Sequence, residues 1–184
     1  MRWKEVLKKI FGIYSIDLEA ERLFFKKTQL NFKGGRINHY RVLRIENYLE
    51  EKYGLKIPST VKVGHNFRIH HPYGIRIGQT AVIGDNCHVY PRFAVVAAVK
   101  GDKDRLVNHE RRHALIGNDC ILGHSAVLVG PITIGDDVTI GACALVTKDV
   151  PSHSVVKGVN QIRPKRDDEI PDKYKIGNSK NTIR

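Results

Sequence analysis

Histidine is the most informative residue type in this chain. Nine histidines supply imidazoles, which titrate near neutrality and can take a proton, give one up or bind a metal. His109 and His113 stand with Glu110 in the spacing His-Glu-x-x-His. On a helix that spacing puts both rings on one face to hold zinc, with the glutamate as base. Here the surrounding residues, GDKDRLVNHERRH, are polar and carry no apolar stripe to seat a helix. So short a pattern also arises by chance, so zinc hydrolysis is set aside and no metal is expected. Cys87, Cys120 and Cys143 lack CxxC spacing, which fits reduced thiols and a cytoplasmic setting.

The elements that must position any site come from a repeat. From Val63 to Val150 an aliphatic residue recurs every six positions, often followed by glycine, with a small or aliphatic residue four places on. The units read VGHNFR, IHHPYG, IGQTAV, IGDNCH, VYPRFA, VVAAVK, IGNDCI, LGHSAV, LVGPIT, IGDDVT, IGACAL and VTKDVP. Short repeats of this kind describe a solenoid in which each unit forms one flat face and three faces make a coil. The leading aliphatic residue points inward. Cys87 and Cys120 fall at the inward small position of their units, whereas Cys143 sits one place earlier. The expected fold is mainly β, a left-handed parallel β-helix with a short α-helical N-terminal extension.

Three domains are expected: a helical extension over 1–58, the β-helix over 59–163, and a polar tail over 164–184. The period fails over 100–114, which reads as an excursion loop; loops leaving a rigid scaffold often carry functional residues. In the extension, Trp3, Val6, Leu7, Ile10, Phe11 and Tyr14 form a helical stripe with Arg2, Lys4, Lys8 and Lys9 off it. That face suits packing on the coil or on another subunit, and a peripheral contact with an anionic membrane is the alternative. Further helices are expected from Asp17 to about Gln29 and from Asn38 to Tyr53. No stretch approaches the roughly 20 apolar residues needed to span a bilayer. The net charge of +12 attracts polyanions. The basic residues are scattered without an aromatic-interleaved platform, so a phosphorylated cofactor or anionic acceptor explains them better than nucleic acid.

Three stretches carry a resemblance: IHHPYGIRIGQTAVIGDN, RRHALIGNDCILGHSAVLVGPITIGDDVTIGACALVTKDVP and VVKGV. Over about residues 55–163 the chain resembles serine O-acetyltransferases and the acetyltransferases that decorate bacterial surface polysaccharides. The resemblance implies acetyl-CoA as cosubstrate, a homotrimer with sites between subunits, His71 as general base, and His113 assisting the acceptor or the oxyanion. It places His124, Ser125 and Ala142 along the pantetheine arm, and Thr147 and Lys148 near the nucleotide end. Arg163, Lys165 and Arg166 lie just beyond, within reach of its phosphates. The chemistry is coherent: a hydroxyl attacks a thioester poorly until a base removes its proton.

The departures bear on the acceptor. The family's serine enzymes carry an aspartate immediately before the catalytic histidine and another about one coil earlier; here those places hold His70 and Lys56. Their helical N-terminal domain is also much longer. A sugar hydroxyl, in surface polysaccharide synthesis, is therefore the expected acceptor, and serine the alternative. His124-Ser125 and Asn160-Gln161 also replace the usual Ala-Gly and Pro-Ala. Readings from other classes are a β-helix carbonic anhydrase with metal held by histidines, and a non-catalytic scaffold.

Overall fold

In a computed structural model of the chain, residues 16–97 and 112–174 are described. Aliphatic residues spaced by six make two- to four-residue strands separated by tight turns, and these strands form three sheets. Sheet I contains β1 (Lys62–Val63), β4 (Val82–Ile83), β7 (Leu115–Ile116) and β10 (Thr133–Ile134). Sheet II contains β2 (Arg68–Ile69), β5 (His88–Val89), β8 (Ile121–Leu122), β11 (Thr139–Ile140), β13 (Ser154–Lys157) and β14 (Gln161–Pro164). Sheet III contains β3 (Arg76–Ile77), β6 (Ala94–Val96), β9 (Val127–Val129) and β12 (Leu145–Val146). From β1 to β12 the chain visits the sheets in fixed rotation, and every pairing is parallel except β13 with β14.

This rotation follows from the repeat. Within each strand the leading aliphatic residue is turned inward, as at Ile69, Ile77, Ile83, Val89, Ile116, Leu122, Leu128, Ile134, Ile140 and Val146, all buried. The residue four places on fills the space behind each turn: Phe67, Ala81, Cys87, Phe93, Cys120, Ala126, Val138 and Ala144 are also buried. Burying a Leu, Ile or Val side chain contributes about 1.5–3 kcal/mol, so this double column drives the winding. Cys143, one place out of phase, is exposed.

Three columns of turns join the sheets. The first, between sheets I and II, carries Asn66, Asn86, Asp119 and Asp137 at φ of 53°, 56°, 56° and 53°, a left-handed conformation that asparagine and aspartate tolerate. The second, between sheets II and III, contains residues 70–74, 90–92, 123–125 and 141–143. The third, between sheets III and I, contains Gly78–Thr80, the excursion ending at His113, Gly130-Pro131 and Thr147–Asp149.

Each end of the stack is covered. Helix α1 (Ile16–Lys33) and helix α2 (Arg36–Tyr53) close the N-terminal end. Glu21, buried against β2, accepts the Ile69 N–H at 2.8 Å, satisfying a donor at the sheet edge. Phe24 packs on Phe67 with ring centroids 5.8 Å apart. Lys27, 1 % exposed, donates to the Ile57 carbonyl and lies 3.4 Å from Glu46. Helix α1 runs past the expected Gln29 to Lys33, where the Asn31 amide donates to the Ser59 carbonyl at 3.2 Å, and Gly34-Gly35 then ends it.

At the other end β14 folds back on β13, and 3-10 turns at Asp167–Glu169 and Asp172–Tyr174 carry the chain to the first turn column. There Lys173 and Tyr174 donate to Asp119. The expected tail from 164 is thus an ordered strap as far as Tyr174. The helical stripe expected over Trp3–Tyr14, most of the 100–114 excursion and the last ten residues lie outside the described residues.

Candidate active site

His71, His124, Ser125 and Ala142 all fall in the second turn column, although 71 residues of sequence separate the first from the last. Each follows a strand of sheet II, and those strands stack in one register, with β5 between β2 and β8. Backbone bonds link the coils: Arg92 N–H donates to the Tyr73 carbonyl at 2.8 Å, Ser125 N–H to Pro91 at 2.9 Å and Cys143 N–H to His124 at 2.8 Å. With strands about 4.8 Å apart, His71 stands roughly 10 Å along the column from His124. His71 is exposed, with left-handed φ of 46°, and its carbonyl accepts the Tyr73 N–H at 2.7 Å.

His113, Thr147 and Lys148 belong to the third turn column, across sheet III from His71. Within one chain, therefore, the two family histidines are not brought together. Between the columns, sheet III presents an apolar outer surface: Ala94, Val96, Val127, Val129 and Leu145 all face outward and are partly exposed. Thr147 N–H donates to Asn160 Oδ1 at 2.8 Å, and Asn160 Nδ2 donates to Thr147 Oγ1 at 2.8 Å. Lys148 is exposed.

The setting of His113 fixes its protonation. Thr80 Oγ1 accepts the Arg112 N–H at 3.0 Å and lies 2.8 Å from His113 Nδ1, within reach to donate its own proton there. The Thr80 N–H also points at Nδ1, at 3.4 Å. The N–H contact calls for a lone pair on Nδ1, and the hydroxyl can donate to the same lone pair, which leaves the hydrogen of a neutral ring on Nε2. Burial, and secondarily Arg112, holds this imidazole below its ordinary value, in the same sense. His113 is thus built as a hydrogen-bond donor through Nε2. Its ring lies against Gly78, where a Cβ would stand 2.0 Å from ring atoms. Thr80 and Gly78 were not singled out in the sequence; their signal is position, one coil before His113 in the same column.

Beside His71, the place of the family's carboxylate is occupied by aromatic rings. His70 stacks on His88 at 5.2 Å and on Tyr90 at 4.8 Å, and His70 Nε2 is 3.0 Å from His88 Nδ1. Burial, then the charges of His70 and Arg68, pushes the His88 imidazole down. Lys56 is paired with Glu50 at 3.1 Å, and Arg76 lies 3.5 Å from the same carboxylate.

The basic residues beyond the repeat, expected to lie within reach of cofactor phosphates, are ion-paired within the chain. Arg163 forms a two-pronged pair with Glu169 at 2.8 and 2.9 Å, Arg166 donates to Glu169 at 3.0 Å, and Lys165 donates to buried Asp137 at 2.5 Å. Among the described residues no group of three or more histidine, cysteine or acidic side chains is arranged to hold a metal ion.

The winding of six-residue units over three sheets is the feature that the chain shares with known proteins. Residues 113–148 match the bacterial transferase hexapeptide family (six repeats), and the chain resembles serine acetyltransferases. It is 49% identical over 49 residues to a serine acetyltransferase of Mycobacterium tuberculosis, covering 27% of this chain and 21% of that protein. It is 34% identical over 116 residues to serine acetyltransferase 2 of Arabidopsis thaliana, covering 63% of this chain and 34% of that one. Among solved structures, Neisseria gonorrhoeae serine acetyltransferase in complex with serine superposes with a TM-score of 0.64 at 26% identity, covering 80% of this chain and 56% of that one. The chain thus spans about a fifth to a third of these curated relatives' length.

Proposed function

We propose that this protein is an acetyl-CoA-dependent O-acetyltransferase built on a left-handed parallel β-helix. The observation that carries the reading is the stacking of His71, His124, Ser125 and Ala142 in one exposed turn column beside the apolar outer surface of sheet III. Small side chains at 125 and 142 suit an elongated arm lying along that column, and exposed Lys148, in the third column of a neighbouring copy, suits a phosphate at its far end. Acetyl-CoA supplies an activated thioester carbonyl. His71 takes the proton of the acceptor hydroxyl as its oxygen attacks that carbonyl. Nε2–H of His113 donates to the oxygen that becomes negative. The C–S bond then breaks, and the proton held by His71 passes to the leaving thiolate.

Because His71 and His113 flank sheet III on opposite sides, one complete site needs His71 of one copy and His113 of another. A homotrimer that covers sheet III meets this requirement. The proposed setting is the cytoplasm, where acetyl-CoA is made and used.

The acceptor reading that most of the relatives favour is serine, and this revises the expectation of a sugar: several of the proteins matched are serine acetyltransferases, one of them solved with serine. A glycan hydroxyl is retained as a second reading on one observation. Around His71 the side chains that would pair with an amino acid's ammonium group are replaced by the His70–His88–Tyr90 stack and by Lys56. Thiol release from acetyl-CoA by the purified protein, with serine or with a panel of sugars and surface glycans, separates them. Serine-dependent release is expected on the first reading and glycan-dependent release on the second. Release with neither overturns both.

A further inference from the structure

The two ends of the α1–α2 hairpin differ in character. Against the coil, Ala20, Glu21, Phe24, Leu49 and Tyr53 are buried. Toward the Gly34-Gly35 turn exposure rises, and large apolar side chains stand in solvent: Phe32 is 94 % exposed, Ile37 72 % and Tyr40 62 %, with Leu43 and Phe25 less so. Charge changes along the same axis. From Arg22 to Ile45 the sequence holds no Asp or Glu but contains Arg22, Lys26, Lys27, Lys33, Arg36, Arg41 and Arg44. Lys27 turns inward to Glu46 and the Ile57 carbonyl, while the other six are exposed. At about 1.5 Å rise per residue, most of these groups lie within roughly 15 Å of the hairpin turn.

We propose that this end of the hairpin docks on the surface of a bilayer containing anionic phospholipid. Exposed aromatic and aliphatic side chains seat at the boundary between headgroups and acyl chains, and the six cations meet the negative leaflet. The two features address the same partner. A second copy of the same tip would bring like charges together and be repelled. A nucleic acid strand would engage the cations but leave Ile37 and Leu43 without a role. Neither α1 nor α2 is long and apolar enough to cross the membrane, so the contact lies on the surface.

The test is co-sedimentation of the full chain with vesicles of phosphatidylcholine alone or with about 30% phosphatidylglycerol. The expected result is binding to the anionic vesicles, little to the neutral ones, and loss of binding at about 0.5 M salt. Each basic residue near such a surface multiplies partitioning about fivefold, so K33E/R36E/R41E weakens binding by well over tenfold. F32S/I37S keeps the charges and also weakens it. All five side chains are exposed, so both variants retain the helical circular dichroism of the parent. Equal binding to neutral vesicles, or unchanged binding in both variants, overturns the proposal. So does binding to RNA in the absence of vesicle binding.

Discussion

The first and second turn columns are built from the same six-residue unit and do different work. Both use left-handed turn residues, with φ of 56° at Asn86 and 56° at Ser125, and both are linked from coil to coil by backbone bonds. The first column adds a side-chain ladder. Asp85 accepts the His65 N–H at 2.6 Å, Asn118 the Asp85 N–H at 2.8 Å, Asp136 the Asn118 N–H at 2.6 Å, and Ser152 Oγ the Asp136 N–H at 2.9 Å. In the second column the equivalent places hold His124 and Ala142. The backbone links suffice to stack the coils, so side chains there are released from structural duty and can be chosen for chemistry. One edge of the solenoid is a seam and the other a work surface.

The largest effect that would break this contrast is at His71. His71→Ala is expected to lower turnover by about 10² or more, the contribution of a positioned general base, with thermal unfolding unchanged because the side chain is exposed. Steady-state thiol release together with a melting curve reads both. A variant that melts early at full activity would make the second column a seam as well.

Gly78→Ala sharpens the contrast from the third column. A Cβ at Gly78 meets the movable His113 ring at 2.0 Å, whereas one at Gly117 meets the Gly135 backbone carbonyl carbon at 2.8 Å. Gly78→Ala should therefore swing the imidazole off Thr80 and lower turnover, by up to about 10², to the level of His113→Ala. Gly117→Ala should instead cost about 1–3 kcal/mol of stability by crowding the seam. Activity and melting temperature of the two variants separate these outcomes; an active Gly78→Ala protein would remove His113 from the site.

Much of this division was legible in sequence. The alternation of Gly-Asp-Asn, Gly-Asn-Asp and Gly-Asp-Asp turns with Gly-His-Ser and Gly-Ala-Cys turns marks the two columns, because every third unit falls on the same sheet. The inward phase of Cys87 and Cys120 followed from the period alone. What the sequence did not disclose depends on contacts with no local signature. Glu21 reaches Ile69 across 48 positions, Tyr174 reaches Asp119 across 55, and Arg163 pairs with Glu169 in a turn that no repeat announces. The polar composition after Gly158 reads as a short cap and a loose end, without showing what holds the cap, because a strap held by ion pairs needs no apolar period.

A smaller effect compares the columns residue for residue. Asp136→Ala leaves the Asn118 N–H and side-chain amide without their shared acceptor, at 2.6 and 3.0 Å in the parent. The expected loss is about 1 kcal/mol, or a few degrees in Tm. His124→Ala, at the exposed equivalent position, is expected to change stability by less than about 0.5 kcal/mol and to raise KM for acetyl-CoA. If the two variants destabilise equally, the columns do not differ in structural duty.

The smallest effect is a titration. Burial first and Arg112 second lower the His113 imidazole from its ordinary 6.5, so the folded state favours the neutral ring. The sign follows: this contribution to stability is complete above 6.5, where folded and unfolded rings are both neutral, and is lost as pH falls and the unfolded ring takes up a proton first. NMR titration of His113 should show a midpoint below 6.5. Arg112→Gln should raise that midpoint while leaving it under 6.5, because burial is the larger cause and Thr80 still requires a lone pair on Nδ1. A midpoint raised well above 6.5 in the parent would mean a ring charged near neutrality, with both nitrogens donating. The Thr80 hydroxyl would then have to turn its lone pair rather than its proton toward Nδ1, undoing the tautomer that leaves Nε2–H to face an oxyanion.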